Sequence, residues 1–265
     1  MYDEISSFLW VVKMTASEYR AALSEYKVDP ANTDGSRLHG LRPFLSLLDN
    51  VEKSSIALFD MAAMDYAFLT SNFKYLIGLS KSDSRDIGMP YFFSRMHESD
   101  RELFFDTSIQ AFSFLYQKEP EERKDYRTCQ DFRIQREDGK WIRLIQQMLT
   151  VELDKTGNIW LVLLVNDISP VCDQAIPGRR FMEHLPTKKR VLFPDSDATA
   201  QSPLTKRELE ILGFVSNGYP SKDIADFLGI SSVTVNNHRQ NILSKLGAAS
   251  SAEAVNYAKN IGLMS

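Results

Sequence analysis

The chain has 265 residues, a net charge of −4, 43% hydrophobic residues and 25% charged residues, which is ordinary for a globular protein and long enough for two domains. No apolar run approaches the roughly 20 residues that a membrane-spanning helix needs, and the acidic start MYDEISSFLWVV lacks the basic start of a signal peptide. Its two cysteines, Cys129 and Cys172, are too few for a disulfide framework or a thiolate metal cage. We therefore expect a cytoplasmic protein without membrane association.

The charge and the aromatic residues are unevenly divided along the chain. Residues 202–265 carry a net charge of +1, whereas the preceding residues carry −5. Only four of the 29 aromatic residues lie in that last stretch. This difference predicts two distinct domains, and a charge as small as +1 gives by itself little support for nucleic-acid binding.

The N-terminal part predicts helices followed by short strands. Apolar residues at rough helical spacing predict a helix over 3–26, and a second helix fits 37–50. From Ser55 the period changes and predicts two short strands around a turn at Asp60–Ala63. A helical region follows, and then a longer helix from about Asp100 to Gln117.

Three strands are predicted next, over 126–136, 140–153 and 158–168. The dipeptide Asp138-Gly139 between the first two is a strong hairpin signal. Residues 170–201 then contain four prolines and a basic patch. We interpret them as a flexible, solvated linker, although contact of the basic patch with DNA or a membrane is an alternative.

The last 60 or so residues predict four short helices, which fit a helix-turn-helix arrangement. Thr205 with Glu208 forms a capping-box pattern at the start of the first helix, and Ser250 with Glu253 forms another at the start of the last. Ser221 is the predicted N-cap of the second helix. Helix ends are predicted at Gly218, Gly229 and Gly247.

The third of these helices directs a row of neutral amides outward. In a helix-turn-helix domain this helix lies in the major groove of DNA, where Asn and Gln side chains can bond in pairs to adenine N6 and N7. We therefore predict base contacts from Asn236, Asn237 and Gln240. Phosphate contacts are predicted for Ser221, Lys222, Thr234, Arg239 and Lys245. The alternative is a solvated polar face on a small helical bundle.

The segments LTKRELEIL and SKDIADFLGISSVTVNNHRQNILSKLG resemble the DNA-binding domain of LuxR/NarL-type bacterial transcription regulators. The resemblance implies that DNA bases are read from the three amides named above and that the last helix takes part in dimerisation. The sequence departs from the family at Asn236, where lysine is common. A lost positive charge implies weaker nonspecific affinity for DNA.

The segments SSIALFDMAAMDYAFLT and FRIQREDGKWIRL, with the order of elements around them, resemble a PAS domain over 53–169. Such domains bind haem, flavin, small metabolites or nothing, so the cofactor is left unknown. His97 is a conceivable haem ligand, but a turn-capping role fits better. A candidate ligand cavity is lined by Phe59, Phe68, Phe73, Phe104 and Phe112, with simple core packing as the alternative.

The sequence thus predicts an α+β chain in four parts. A helical extension over 1–52 serves either as a dimer cap or as a cover for one sheet face. A PAS-like antiparallel five-stranded sheet with helices occupies 53–169, a linker 170–201, and a separate all-α four-helix helix-turn-helix domain 202–265.

We expect a transcriptional regulator that binds double-stranded DNA as a homodimer and is controlled by a small-molecule ligand or a partner. The alternative is a PAS-based protein-interaction module whose C-terminal bundle contacts RNA polymerase or an adaptor without specific DNA readout. An enzyme is not expected, because the sequence shows no phosphate-binding glycine loop, no clustered metal ligands and no nucleophile motif.

Overall fold

The computed structural model describes residues 15–26, 28–48, 54–78, 88–169, 179–192, 204–260 and 263–264. The N-terminal part has five helices in these ranges: α1 (Ala16–Ser24), α2 (Gly35–Leu48), α3 (Asn72–Leu76), α4 (Met89–Arg95) and α5 (Glu98–Tyr116). Its strands are β1 (Ser54–Asp60), β2 (Asp65–Leu69), β3 (Tyr126–Gln135), β4 (Trp141–Leu153), β5 (Ile159–Ile168), β6 (Arg180–His184) and β7 (Lys189–Leu192). The C-terminal part has α6 (Lys206–Ser216), α7 (Ser221–Leu228), α8 (Ser232–Leu246) and α9 (Ser251–Asn260). None of the helices in the described ranges is long and apolar enough to cross a bilayer.

All seven strands form one antiparallel sheet in the order β2-β1-β5-β4-β3-β6-β7. Strands β1 and β2 precede the helices α3 to α5, and the meander β3-β4-β5 follows them, which is the PAS-like arrangement that the sequence predicted. The predicted fold class, a PAS-like α+β domain followed by an all-α domain, is confirmed.

The predicted number of five strands is wrong, because the sheet continues into the segment interpreted as a linker. There β6 pairs with β3, with Met182 opposite Thr128, and β7 pairs with β6. Both strands are short, and their polar and basic residues resemble a solvated loop in sequence. Their pairing with the edge of the existing sheet is what makes them strands, and a sequence pattern does not carry that information.

Strands β3, β4 and β5 form a meander, and the bounds of each strand lie within two residues of the predicted ones. Gly139 adopts a φ of +80° in the turn that joins β3 to β4, a conformation that glycine reaches without strain. Gly157 in the next turn has a φ of +90°, and a Cβ atom there would lie 2.8 Å from the Pro120 Cγ atom. Both turns therefore require glycine. They join β3 to β4 and β4 to β5, and so set the register of these strands.

Helix α1 begins inside the range over which the sequence predicted one helix. Thr15 is the N-cap of α1 and forms a capping box with Glu18, so one continuous helix over 3–26 is wrong, and residues 3–14 lie outside the described ranges. From α1, Tyr19 stacks on Phe105 of α5 with ring centroids 4.3 Å apart. Part of the predicted N-terminal extension is therefore built into the core of the sheet domain.

The buried apolar residues form two clusters. The larger one lies between the inner face of the sheet and helices α1 to α5. The second combines the core of the C-terminal helices with three residues of the sheet, namely Cys129, Ile145 and Phe181. The C-terminal domain thus packs on the outer face of the sheet, where Arg143 and Asp131 form a buried ion pair with an N···O distance of 2.6 Å.

Candidate nucleic-acid interface and sensor cavity

The C-terminal domain is held together at the start of α6. The predicted capping box is present: the Thr205 amide donates to the Glu208 carboxylate at 2.7 Å, and the Glu208 amide donates to the Thr205 hydroxyl at 3.3 Å. Lys245 Nζ, from the end of α8, lies 2.7 Å from the same carboxylate. Burial raises the pKa of Glu208, but these hydrogen bonds outweigh burial and leave the pKa below its ordinary value. Glu208 therefore ties α8 to α6 as an anion.

The turn between α7 and α8 has the expected geometry, with one correction. Gly229 ends α7 in the left-handed conformation with a φ of 63°, and the Ile230 amide donates to the Ala225 carbonyl at 3.1 Å. The prediction of Ser221 as the N-cap of α7 is wrong. Pro220 is the N-cap, because its extended backbone already directs the chain into the helix, and Ser221 is the first helical residue.

Helix α8 presents the predicted amides to solvent. Ser231 caps its start by accepting from the Thr234 amide at 3.0 Å, and Gly247 ends it in the left-handed conformation. Val235, Ile242 and Leu246 are buried against the other helices. The opposite side is exposed and carries Asn236, Asn237 and Gln240. These neutral amides lie on adjacent turns of a well-anchored helix, as direct contact with base edges requires.

The residues predicted to contact phosphates do not form one continuous row. Lys222 is exposed, and so is Thr234, whose hydroxyl lies 2.8 Å from that of Ser231. Arg239 instead bridges helices, since it donates to the Ser221 and Ser251 hydroxyls at 3.1 Å each. Ser221 and Arg239 line a surface hollow of about 630 Å³.

Arg239 and Lys245 therefore have structural partners that the sequence did not predict. Arg239 joins α8 to the starts of α7 and α9, and Lys245 joins it to α6. These contacts could not be read from the sequence, because the partners lie 12 to 37 residues apart along the chain. Phosphate contacts from all five residues stay a prediction.

The last helix is also capped differently from the prediction. The Glu253 amide donates to the Ser250 hydroxyl at 3.2 Å, which is one half of the predicted box. The Glu253 carboxylate, however, accepts from the Ala249 amide at 2.8 Å rather than from Ser250. The box at Ser250 is thus shifted by one residue, because the chain entering α9 brings Ala249 closer to the carboxylate.

A cavity of about 50 Å³ lies between the inner face of the sheet and helices α1, α4 and α5. Of the predicted lining residues, Phe59, Phe104 and Phe112 line it. Phe68 is only packed against the larger core, and Phe73 packs on Phe92 with centroids 5.8 Å apart. The other lining residues are Tyr19, Leu23, Met61, Tyr66, Met89, Phe92, Phe93, Gln146, Met148, Val162 and Leu164.

Every residue that lines this cavity is uncharged. Its polar groups are two phenols and the Gln146 amide, whose Nε2 atom donates to Asn166 at 2.9 Å. Burial raises the pKa of Tyr19 to about 12, and it also raises the pKa of Tyr66, so both phenols are neutral at pH 7. The cavity therefore suits neutral rather than ionic groups.

His97 has the turn-capping role that the sequence analysis favoured over haem ligation. His97 is the N-cap of α5, and its Nδ1 atom accepts from the Ser99 amide at 3.3 Å. No group of three or more His, Cys, Asp or Glu side chains within the described ranges could hold a metal ion. Cys172 lies outside those ranges.

The four helices, the tight turn and the exposed face of α8 define a helix-turn-helix domain attached to a PAS-like domain. Residues 202–258 match the family model of bacterial regulatory proteins, luxR family. The C-terminal domain thus belongs to the LuxR family, as the sequence resemblance predicted.

Two curated proteins illustrate the similarity of this domain. The chain is 44% identical over 63 residues to the transcriptional regulatory protein MctR of Rhizobium johnstonii, which covers 24% of this chain and 29% of that protein. It is 49% identical over 55 residues to the oxygen regulatory protein NreC of Staphylococcus aureus, covering 21% and 25%. The chain thus spans less than a third of the length of these relatives.

Solved structures align over more of the chain but with low scores. A phage VqmA–DPO complex aligns over 84% of this chain and 88% of that chain, at 17% identity and a TM-score of 0.33. The PAS domain of a protein from Colwellia psychrerythraea aligns over 48% of this chain and 95% of that domain, at 17% identity and a TM-score of 0.36.

Proposed function

We propose that the protein is a sequence-specific DNA-binding transcriptional regulator controlled by its PAS-like sensor domain. The observation that carries the proposal is the exposed amide row of α8, held in place by a buried opposite side and by the Lys245–Glu208 ion pair. Such a row gains paired hydrogen bonds in the major groove without the desolvation cost of a charge. The proposal includes a cytoplasmic location, where the DNA of a bacterium lies.

The proposed mechanism requires two copies on one DNA duplex. Two α8 helices must lie about one helical turn of DNA apart to contact both half-sites. A signal that binds one arrangement of the two domains better than another shifts the population toward that arrangement and so changes the affinity for DNA. The homodimer is part of this proposal.

The proposed signal is a small, neutral, largely apolar ligand in the cavity. Its uncharged lining disfavours ions, and the amide of Gln146 at the wall is already bonded to Gln130 and Asn166. The present space of about 50 Å³ is well below the ~300 Å³ or more of typical ligand pockets. A ligand of ordinary size would therefore require lining side chains to move.

A selection experiment tests the proposal directly. The full-length protein is incubated with fragmented genomic DNA from its source organism, and the bound fragments are recovered and sequenced. We expect an enriched inverted repeat with half-sites about 10 bp apart. Absence of enrichment both for the full chain and for residues 200–265 would contradict the proposal, whereas enrichment by the fragment alone would mean that the sensor domain inhibits DNA binding.

A second candidate function is favoured by an aromatic patch on the C-terminal domain, formed by Phe214, Tyr219 and Phe227. Phe227 stacks on Phe214 with centroids 5.5 Å apart, and Tyr219 meets it edge-on at 5.3 Å. Phe227 is nevertheless 60% exposed. Under this alternative the patch contacts RNA polymerase or an adaptor, and DNA binding by the protein shows no sequence preference.

A further inference from the structure

One apolar side chain lies on the exposed side of α8, in line with the amides. Val233 is 66% exposed in the first turn of the helix. It precedes the three amides by three, four and seven residues, and side chains at these spacings lie on one face of a helix. This surface, here called the α8 face, consists of Val233, Asn236, Asn237 and Gln240, all of them exposed. Val233 therefore continues the amide row by one turn toward the start of the helix.

The fold of the domain does not require an apolar residue at position 233. Ser231 caps the helix by accepting from the Thr234 amide at 3.0 Å, and the buried Val235 packs in the core of the domain. A β-branched side chain also loses rotamer freedom in a helix and is a weaker helix former than alanine. Single exposed apolar side chains are common on proteins, so it is the alignment of Val233 with the amides that indicates a role for it.

The first turn of α8 is the part of the helix at which base contacts are expected. In helix-turn-helix domains the N-terminal residues of the recognition helix contact the base edges. The apolar group that a base pair presents in the major groove is the C5 methyl group of thymine, and apolar side chains contact it. A polar side chain facing this methyl group would lose hydration without gaining a hydrogen bond. The thymine methyl group is thus the feature of the groove that Val233 complements.

We propose that Val233 contacts the C5 methyl group of a thymine in each half-site and so determines the base at that position. The proposal rests on the proposed function, in which α8 lies in the major groove, and it adds a base contact outside the amide row. Along the helix axis Val233 lies about 4.5–6 Å before Asn236 and Asn237, or between one and two base-pair steps of about 3.4 Å. The thymine should therefore lie within about two base pairs of the adenine that these amides contact.

Deoxyuridine, which is thymidine without the C5 methyl group, tests the proposal. The duplex carries the site recovered by the selection experiment described above, and each thymine position is replaced in turn by deoxyuridine. Fluorescence anisotropy at one fixed salt concentration measures the affinity of the full chain. Near the adenine position we expect one substitution to weaken binding about fourfold, equivalent to about 0.8 kcal/mol for one buried methyl-sized group. Substitution in both half-sites should weaken binding about sixteenfold, because well-separated positions contribute additively.

The variant Val233→Ala links this effect to one side chain. It removes both methyl groups of the side chain and leaves a good helix former in the first turn. The variant should bind the unmodified site about as weakly as the wild type binds the deoxyuridine site, and deoxyuridine should cause it no further loss. Such coupling between one side chain and one methyl group would not result from misfolding or from a contact with the sugar-phosphate backbone. Affinity for random-sequence DNA, which depends on phosphate contacts, should equal that of the wild type.

The matched control is Ser232→Ala. Ser232 is an exposed residue of the same turn, and it lies about 100° around the helix from Val233. Whatever its affinity for the unmodified site, this variant should be as sensitive to deoxyuridine as the wild type.

Two results would overturn the contact alone. One is a wild type that binds every deoxyuridine site as tightly as the unmodified site, and the other is a Val233→Ala variant that keeps the full sensitivity to deoxyuridine. Selective binding of the unmodified site would then leave the proposed function intact. Failure of both the full chain and residues 200–265 to select any site would contradict the contact and the proposed function together.

Discussion

The Ser169 hydroxyl, at the end of β5, donates a hydrogen bond of 3.2 Å to the Tyr257 hydroxyl of α9. Ser169 is 1% and Tyr257 4% exposed, so this bond lies within the contact between the sensor domain and the DNA-binding domain. Burial raises the pKa of Tyr257 although the bond from Ser169 lowers it. The phenol is therefore neutral at pH 7 and able to take part in a bond that joins two domains.

This bond predicts a measurable coupling between the two domains. Tyr257→Phe and Ser169→Ala should each lower the free energy of unfolding by about 1 kcal/mol, because each removes a buried hydrogen bond. The double variant should cost less than the sum of the two, since both remove the same bond. Denaturant unfolding of the four proteins measures this double-mutant cycle, and strictly additive losses would show that the two hydroxyls are not coupled.

Removal of the amide row should weaken specific DNA binding without affecting the fold. The double substitution Asn236→Ala/Asn237→Ala is expected to cost a few kcal/mol on the selected site, since a well-placed bidentate contact contributes about 1–3 kcal/mol. Fluorescence anisotropy with that site measures the loss. Asn217→Ala is the matched control, because it removes an exposed amide at the end of α6 of the same domain. Unchanged affinity in the double variant would mean that α8 does not read the bases through these residues.

Glu208 makes the stability of the C-terminal domain depend on pH. Its pKa is lowered in the folded state, so its stabilising effect is fully present above its unfolded-state pKa of about 4.3 and is lost as the pH falls through the folded-state value. Glu208→Gln should cost about 1 kcal/mol at pH 7, a modest value because Lys245 is 38% exposed. In thermal unfolding, the difference in melting temperature between the wild type and the variant should become smaller below about pH 4.3.

The control for Glu208 is the exposed ion pair between Arg207 and Glu210, whose side chains are 34% and 48% exposed. Glu210→Gln should change the stability at pH 7 by less than half as much as Glu208→Gln. Equal effects from the two substitutions would show that the buried carboxylate has no special role in holding α8 to α6.

We expect the wall of the sensor-domain cavity to tolerate one added methylene group. Val162→Ile should stabilise the sensor domain by up to about 0.8 kcal/mol, because the new group enters empty space. The same substitution at Val235, which is 0% exposed in the core of the C-terminal domain, should destabilise by about 1 kcal/mol or more through overpacking. Chemical denaturation measures both, and a loss of more than 1 kcal/mol at Val162 would show that the cavity cannot accept added volume.

Much of the local structure could be predicted from the sequence, because its signals lie within a few residues of one another. Asp138-Gly139 identified the hairpin, and Thr205 with Glu208 identified the start of α6. The same rule, applied to Thr15 and Glu18, would have placed the start of α1 correctly. Boundaries were thus predictable at these caps and turns, but not at the start of α7, where Pro220 rather than Ser221 is the N-cap.

Contacts between distant parts of the chain could not be predicted. Strand β6 exists because it pairs with β3, and Tyr19 lines the cavity because α1 packs on α5. Arg239 and Lys245 were predicted to contact phosphates, but each forms a hydrogen bond with a residue of another helix. Only the fold brings such partners together, and periodicity and composition give no information about them.

Neighbouring residues of β4 face two different environments. Ile145 belongs to the buried cluster that includes the C-terminal helices, and Gln146 lines the cavity on the other side of the sheet. Because successive side chains of a strand point to opposite faces, a ligand that displaces the β4 backbone at Gln146 also displaces Ile145 against the C-terminal helices. Under the proposed function, the ligand cavity and the DNA-binding domain are therefore separated by the thickness of a single sheet.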